Sequence, residues 1–440
     1  MEFTDFFKLS GFCKYSPDGE FIAAIFEKRL VIRSIHTLKI TRMHHLDKPI
    51  NVLEWSNDSR LIMCASYKHG TVDIFDVDDR DWHGQISEGD AGLTSARWTF
   101  DGRHVMTVSE FQMRLTIWSL TGDSHMSIQY PKFSDRGVAF QKDGRYVAIV
   151  EKRDSKDIIS IYDCSSWAVC KRIQPETIDL ENLEWSPNGH YLAVWDTPLN
   201  YKLLIYTADG VLQRSYSAYD HALGIKSVQW SPSSQFLAIG SYDQQVRFLN
   251  HYTWSPLIEF TCDDLPNDPS MPIYCQNFVE ESKGNVTIHY APVYPPAMIP
   301  AVKPEAGKPS PKLGVGMIKF NPHGRLVAVI NECIPTCLWL MDIPNVRQIC
   351  AIQQAYPIRA VQWNPINPEQ VAFVCGGNHI YLWTEKTGCE SFEVTADNFE
   401  AVGLEWSPDG HSLVIKGKEL FCVAFPVHKT RANPSTNNGL

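Results

Sequence analysis

The twelve cysteines of this 440-residue chain include no Cys-x-x-Cys pair, and the closest two, Cys333 and Cys337, stand alone. Zinc knuckles and ribbons need ligands in short paired runs, so this spacing excludes them. Also missing are a Gly-x-Ser-x-Gly elbow, a Gly-Lys-Ser/Thr phosphate loop, a His-Glu-x-x-His helix and a dinucleotide glycine pattern. Histidines are scattered singly apart from His44-His45, and Asp18, Asp101, Asp143 and Asp409 sit at turns where a structural use is evident. No catalytic residue, cofactor-binding residue or metal ligand is expected, and the chain does not read as an enzyme.

Basic charge is short as well. Forty Lys and Arg against fifty Asp and Glu give a net charge of −10 and a pI near 5.8, with no basic block. A direct nucleic-acid footprint is not expected. The opening MEFTDFFKLSGF lacks the basic start and apolar core of a secretory signal, so the reading is a reducing cytoplasm with free thiols. The longest uncharged run, 285–302, is broken by Pro292, Pro295, Pro296 and Pro300, and no membrane span is expected.

What is present is a repeat. In GIKSVQWSPSSQFLAIGSYDQQVRFLN, from Gly224 to Asn250, side chains alternate with the period of two that suits strands. Ser231-Pro232-Ser233-Ser234 is a turn, Tyr242-Asp243-Gln244 a tighter one, and Tyr252-Thr253-Trp254 begins a fourth apolar run. Copies of the first turn start at Ser16, Ser56, Thr99, Gln141, Ser186, Ser231, Asn321, Asn364 and Ser407. The steps are 40, 43, 42, 45, 45, 90, 43 and 43 residues, and the preceding residue is always aromatic. An apolar strand follows about 20 residues after each turn.

Four antiparallel strands in about 40 residues make one propeller blade. The fold class is therefore all-β: a WD-repeat β-propeller, one closed ring of about nine four-stranded blades over residues 1–425. The Trp-Asp signature is degenerate, reading Phe75-Asp76, Trp118-Ser119, Tyr162-Asp163, Leu249-Asn250 or Trp383-Thr384. The last repeat supplies only three strands and 426–440 reads as a flexible tail, so the segment Phe3 to Lys8 is expected to provide the missing outer strand and close the ring. The double step of 90 marks an insertion, 261–312, between the sixth and seventh repeats. Within it Ile273 to Val279 and Val286 to Tyr290 pair as an extra hairpin around Ser282-Lys283-Gly284, and Pro300 to Lys312 reads as an extended arm. Lys308-Pro309-Ser310-Pro311-Lys312 has the form of a proline-directed phosphorylation site.

Three groups of residues stand out. Tyr274, Phe278, Tyr290 and Tyr294 make the insertion aromatic, either to cover a blade edge or to contact a partner. His221, Trp230, Ser241 and Asp243 are placed to form a hydrogen-bonded network that braces the sixth blade. Lys152, Arg153 and Lys156 form a basic loop tip, read as solvated or as facing an acidic partner.

The runs SAYDHALGIKSVQWSPSSQFLAIGSYDQQVRFLNHYTW, RYVAIVEKRDSKDIISIYDC, HYLAVWDTPLNYKLLIYTADG and PKLGVGMIKFNP resemble the family known as WD repeat-containing protein eight, nearly from end to end. The resemblance implies a non-enzymatic scaffold at the centrosome or spindle pole body, in the cytoplasm and cytoskeleton. It implies a coiled-coil anchoring partner of the afadin- and α-actinin-binding type, with a minus-end-directed kinesin or γ-tubulin-associated proteins nearby. Such a scaffold helps anchor microtubule minus ends in spindle assembly and ciliogenesis. Two rivals remain. A substrate receptor of a cullin-type ubiquitin ligase would carry Arg two residues after the Asp, where this chain has Val77-Asp78 after Asp76 and Cys164-Ser165 after Asp163. The other is a translation- or RNA-associated propeller, against which the acidic pI speaks.

Overall fold

A strand whose consecutive side chains are apolar, as in Phe21–Phe26 and Leu61–Ser66, has to be buried on both faces, and stacking one small sheet on the next achieves this. The computed structural model describes residues 1–122, 124–266, 268–280, 286–304, 307, 311–396 and 398–426. Its sheets number nine, and they contain no α-helix among the described residues. The inner strands are Cys13–Tyr15, Val52–Trp55, Ser95–Trp98, Val138–Phe140, Leu180–Trp185, Ile225–Trp230, Val315–Phe320, Ala360–Trp363 and Gly403–Trp406. We number the blades 1 to 9 in that order. Blade 6, for example, runs outward through Phe236–Ser241 and Gln245–Asn250 to Pro256–Thr261.

Nine apolar clusters fill the nine interfaces between consecutive blades. Leu30 and Ile32 of blade 1 meet Leu53 and Ile62 of blade 2, and so on round to Val414 and Val423 of blade 9, which meet Cys13 and Ile22 of blade 1. That last cluster makes the array a closed ring. Each fully buried aliphatic side chain contributes about 1.5–3 kcal/mol, so packing between blades outweighs any single hydrogen bond here.

The aromatic residue that ends each inner strand has a second use. The indole N–H donates to the backbone carbonyl just before the aromatic residue of the preceding blade: Trp55 to Lys14 at 3.3 Å, Trp98 to Glu54 at 3.1 Å, Trp230 to Glu184 at 3.3 Å, Trp363 to Lys319 at 2.8 Å and Trp406 to Gln362 at 3.4 Å. The turns that follow also touch in sequence. Ser59 Oγ accepts from Asp18 N at 2.9 Å, Asn57 Nδ2 donates to Phe100 O at 2.8 Å, and Gln141 Nε2 donates to Gly189 O at 2.6 Å. Asn188 N meets Ser234 Oγ at 2.9 Å, Asn321 Nδ2 meets Pro368 O at 2.8 Å, and Asn364 Nδ2 meets Gly410 O at 3.0 Å. Between blades 3 and 4 the Phe100 ring lies against Gly144, too close for any Cβ, at a φ of +73°.

Closure uses the N-terminal segment, as the sequence leads one to expect, but in two pieces. Glu2–Phe3 and Phe7–Lys8 both pair with Leu420–Phe425, in the registers Glu2 to Phe425 and Phe7 to Phe421. Thr4 bridges them, its N donating to Val423 O and its Oγ1 accepting from Val423 N, both at 3.0 Å. Tyr15 Oη and Ser412 Oγ then join blades 1 and 9 across the seam at 2.9 Å.

The residue before each aromatic is polar in eight blades: Lys14, Glu54, Arg97, Glu184, Gln229, Lys319, Gln362 and Glu405. Glu54, Gln362 and Glu405 accept from the next blade's backbone N–H, at 3.4, 3.1 and 3.3 Å. Glu184 has no such partner, and burial alone pushes its carboxyl up to about 7.

Two predictions follow from this inner ring of contacts. The Trp185 indole N–H is buried without an acceptor among the described residues, so Trp185→Phe loses ring volume but no bond and should be less destabilising than Trp363→Phe by about 1 kcal/mol. Trp363→Phe, losing its 2.8 Å bond and leaving the Lys319 carbonyl unpaired, should cost about 1–2 kcal/mol in urea titrations. For Glu184, a folded-state value above the unfolded one means that the stability is present below about pH 4.5 and lost as pH rises through about 7. Glu184→Gln should therefore match wild type at pH 4 and exceed it by about 1–3 kcal/mol at pH 8.

Candidate functional site

The insertion between blades 6 and 7 is placed by backbone pairing. Ile273–Glu280 and Val286–Val293 form an antiparallel hairpin, with Gln276 opposite Tyr290 and Phe278 opposite Ile288. The first of these strands lies parallel to the outer strand of blade 7, Arg347–Gln353, with Tyr274 opposite Ile352. Blade 7 therefore has six strands. Pro292 falls on the outermost strand, where its missing N–H breaks no ladder bond. The described ends of the arm are held against the ring, Lys226 Nζ also donating to Pro311 O at 3.3 Å. Val302 N donates to Cys333 O at 2.7 Å, and Lys226 Nζ donates to Leu313 O at 2.7 Å while pairing with Glu332 at 2.8 Å. The turn at Ser282-Lys283-Gly284, Lys308-Pro309-Ser310 of the phosphorylation motif, and all of the tail beyond Pro426 lie outside the described residues.

The four insertion aromatics do not share one surface. Tyr290 exchanges hydrogen bonds with Gln354, at 2.8 Å from Nε2 and 3.2 Å to Oε1, and stands edge-on to Tyr381. Burial pushes its phenol well above the usual range. Tyr274 and Ile288 pack beside it on the core between blades 7 and 8. Phe278 and Tyr294 instead remain 53% and 55% exposed. Covering a blade edge and offering apolar surface are thus divided between two pairs of residues.

Because blade 7 has six strands, the four-stranded blade 8 beside it is recessed on that side. A groove of about 750 Å³ occupies the recess. Its floor is the outer strand of blade 8, Gly388–Glu393, one wall is Tyr274, Ile288, His289 and Tyr290, and the other is Met1 and Pro426. Phe392 and Leu382 add apolar lining, and Glu390 is the single acidic side chain, with no Lys or Arg present. Burial pushes the Cys389 thiol there up to about 12, which leaves it a poor nucleophile. Met1, Tyr290, Phe392 and Pro426 come from distant parts of the chain, so no local sequence signal marks this groove.

The brace in blade 6 is partly different from its sequence reading. Ser241 Oγ donates to Asp243 at 2.5 Å, but the third member is Arg247, whose guanidinium donates to Ser241 Oγ at 2.8 Å and Asp243 Oδ2 at 2.5 Å. Arg247 also lies over the Tyr219 and Tyr201 rings, 5.7 and 5.9 Å from their centroids. His221 is exposed at a φ of +64° and makes no hydrogen bond among the described residues, because the turn it occupies directs the chain away from Ser241. Trp230 serves the ring instead, through Glu184 O. Comparable braces centre on acids that the sequence reading did not single out. Buried Glu88 accepts from Thr107, from Trp118 Nε1 at 3.2 Å and from Arg114 at 2.9 Å, and buried Glu151 accepts from Tyr162 Oη at 2.8 Å and from Arg153 at 2.6 Å. Arg153 and Lys152, which pairs with Asp179 at 3.1 Å, are thus committed within the chain rather than forming a free basic patch.

Among the described residues no cluster of three or more His, Cys, Asp or Glu is placed to hold a metal ion, and no helix is long and apolar enough to cross a membrane. The arrangement offers a rigid ring, a grooved side wall and, on the insertion beside the groove, exposed Phe278 and Tyr294.

Comparison with known proteins agrees with this architecture. The chain is 39% identical to the WD repeat-containing protein WRAP73 of Mus musculus, over 98% of this chain and 97% of that one. It is 24% identical to an uncharacterised WD repeat-containing protein of Schizosaccharomyces pombe, over 84% of this chain and 78% of that one. Family models for the WD domain, G-beta repeat, and for the eukaryotic translation initiation factor eIF2A match residues 210–250 and 13–136. Among solved structures, the C-terminal WD40 domain of Sif2 has a similar fold, with a TM-score of 0.53 at 13% identity, covering 97% of this chain and 99% of that one.

The blade 6 brace can be checked directly. Arg247→Ala strands a largely buried Asp243 and should cost about 2–4 kcal/mol, whereas His221→Ala should stay within about 0.5 kcal/mol of wild type in the same thermal or urea melts.

Proposed function

From the premise that the chain belongs to the family of WD repeat-containing protein WRAP73, a family of WD40 propeller scaffolds, we propose that it is a non-enzymatic scaffold of the centrosome or spindle pole body. In this reading it binds a coiled-coil anchoring protein of the afadin- and α-actinin-binding type and helps anchor microtubule minus ends. A minus-end-directed kinesin or γ-tubulin-associated proteins join the assembly, which serves spindle assembly and ciliogenesis from the cytoplasmic side of the cytoskeleton.

The observation that supports a docking role most directly is the recess on blade 8 with Phe278 and Tyr294 exposed on the hairpin beside it. Aromatic side chains carry much of the binding energy at protein interfaces when a partner desolvates them. A rigid ring loses little entropy in presenting them, because its backbone is already ordered before the partner arrives.

The match of residues 13–136 to the eIF2A family model favours a second reading, a translation-associated propeller acting through blades 1 to 3. Affinity purification from dividing cells, with imaging of the tagged protein, separates the two. Pole localisation and a coiled-coil partner are expected, and Phe278→Ala/Tyr294→Ala should lower recovery of that partner about tenfold or more with the melting temperature unchanged. A diffuse signal with ribosomal subunits and initiation factors as partners, unaffected by the double variant, would favour the second reading and refute the first.

A further inference from the structure

We propose that the end of the ring formed by the loops of blades 3, 4 and 5 is a docking surface for a basic amphipathic helix of a partner protein. Strands alternate in direction within a blade, so the hairpin between its second and third strands and the connection to the next blade lie at the same end of the sheets. Five large apolar side chains stand on that end over three consecutive blades. Phe111 and Met113 are on the hairpin of blade 3, Tyr130 on the connection to blade 4, Ile178 on the connection to blade 5 and Leu199 on the hairpin of blade 5. Tyr130 is the least exposed of them at 56% and Phe111 the most at 87%, so each is more open to water than Phe278 or Tyr294.

The backbone holds two of these rings out at a cost. Phe111 and Tyr130 have φ of +58° and +59°, in the left-handed region that bulky residues rarely occupy. Trp167 and Trp254 adopt the same region, but each buries its ring between blades, which offsets the strain. Phe111 and Tyr130 lack that burial until something covers them.

The five residues lie along one track. Tyr130 N donates to Met113 O at 3.1 Å, Lys152 N to Tyr130 O at 2.9 Å, Lys152 Nζ to Asp179 at 3.1 Å and Thr197 N to Asp179 O at 3.0 Å. At roughly 5 Å for each backbone link and more for the side-chain one, the track is about 20–25 Å long, the length of a helix of about 14–17 residues. Its N–H and C=O groups are engaged with one another, so it offers side chains rather than a strand edge, and the apolar stripe of a helix matches that. The described residues contain no α-helix, so a second copy of this chain does not supply one.

Charge selects the kind of helix. Cations along the track are engaged, Lys152 by Asp179, Arg153 by Glu151 and Arg136 by Glu181. Asp90, Glu110 and Asp154 are exposed and make no ion pair among the described residues, with Lys156 the exposed base beside them. This acidic excess favours Lys and Arg flanking the apolar stripe of the partner. The surface is separate from the recess on blade 8 and does not rest on the centrosomal reading.

Fluorescence anisotropy of the full chain with two synthetic helices of about 18 residues tests the proposal. Both peptides carry the same Leu stripe, flanked by Lys in one and by Glu in the other. The Lys peptide should bind about tenfold more tightly or better than the Glu peptide, and Phe111→Asn/Leu199→Ser should weaken it about tenfold. Asn favours the left-handed region, so the melting temperature of the double variant should equal or exceed that of wild type. Tyr252→Ser, at an exposed residue on the opposite end of blade 6, should leave binding unchanged. Absent or equal affinity for the two peptides, or binding of the Lys peptide undiminished in the double variant, would overturn the proposal. So would sedimentation of the chain alone as a dimer that the double variant abolishes, since a second copy would then be the occupant.

Discussion

The contact on which everything else depends is the packing of each blade against the next around a ring with no free end. An open stack would leave two apolar faces in water; a closed one leaves none, but only if all units present the same geometry to their neighbours. That requirement explains why the aromatic residue and the turn after it recur while the strands between them vary. The aromatic reaches the preceding blade's backbone, as Trp98 reaches Glu54 O, and the turn touches the next turn, as Asn57 touches Phe100. A repeat lacking either would be out of step with two neighbours at once. The seam between blades 9 and 1 obeys the same rule with different atoms, through Tyr15 and Ser412.

Constraint weakens with distance from the axis. Inner strands are confined by both neighbours, whereas an outer strand has water on one edge and tolerates additions. Both irregularities occur at that edge: the hairpin added to blade 7 and the split of blade 9's fourth strand into two pieces. The hairpin joins by parallel pairing, which a segment entering from a long connection achieves and a tight turn does not. The recess on blade 8 follows from the hairpin added to blade 7, without any special feature of blade 8 itself.

How much was legible in the sequence follows the same gradient. The register of nine aromatic residues carried blade number and order, because the ring imposes it on every copy. The closing strand was legible from a shortage, three strands at one end and an unassigned apolar segment at the other. The extra hairpin was visible as two β-prone runs, yet its docking on blade 7 was not, since backbone pairing leaves no compositional trace. His221 was misplaced in the brace because spacing to Trp230 predicts where a residue lies along the chain and not where its turn aims it; Arg247, on a strand facing Ser241, had the better geometry. The groove was invisible for a stronger reason. It arises from a difference in strand count between blades 7 and 8, and is lined by residues as far apart as Met1 and Pro426.

This distribution bears on why such a ring suits a scaffold. Chemistry needs a charged or nucleophilic group that is both activated and reachable. Here the groups that are strongly perturbed are so because they are buried between blades: the thiols of Cys389 and Cys13 are pushed up to about 12, and buried Glu88 and Glu151 are engaged by Arg114 and Arg153. On the insertion, Phe278 and Tyr294 are exposed. A molecule that spends its titratable residues on holding blades together, and shows aromatic side chains at its widest circumference, is built to hold other proteins in place.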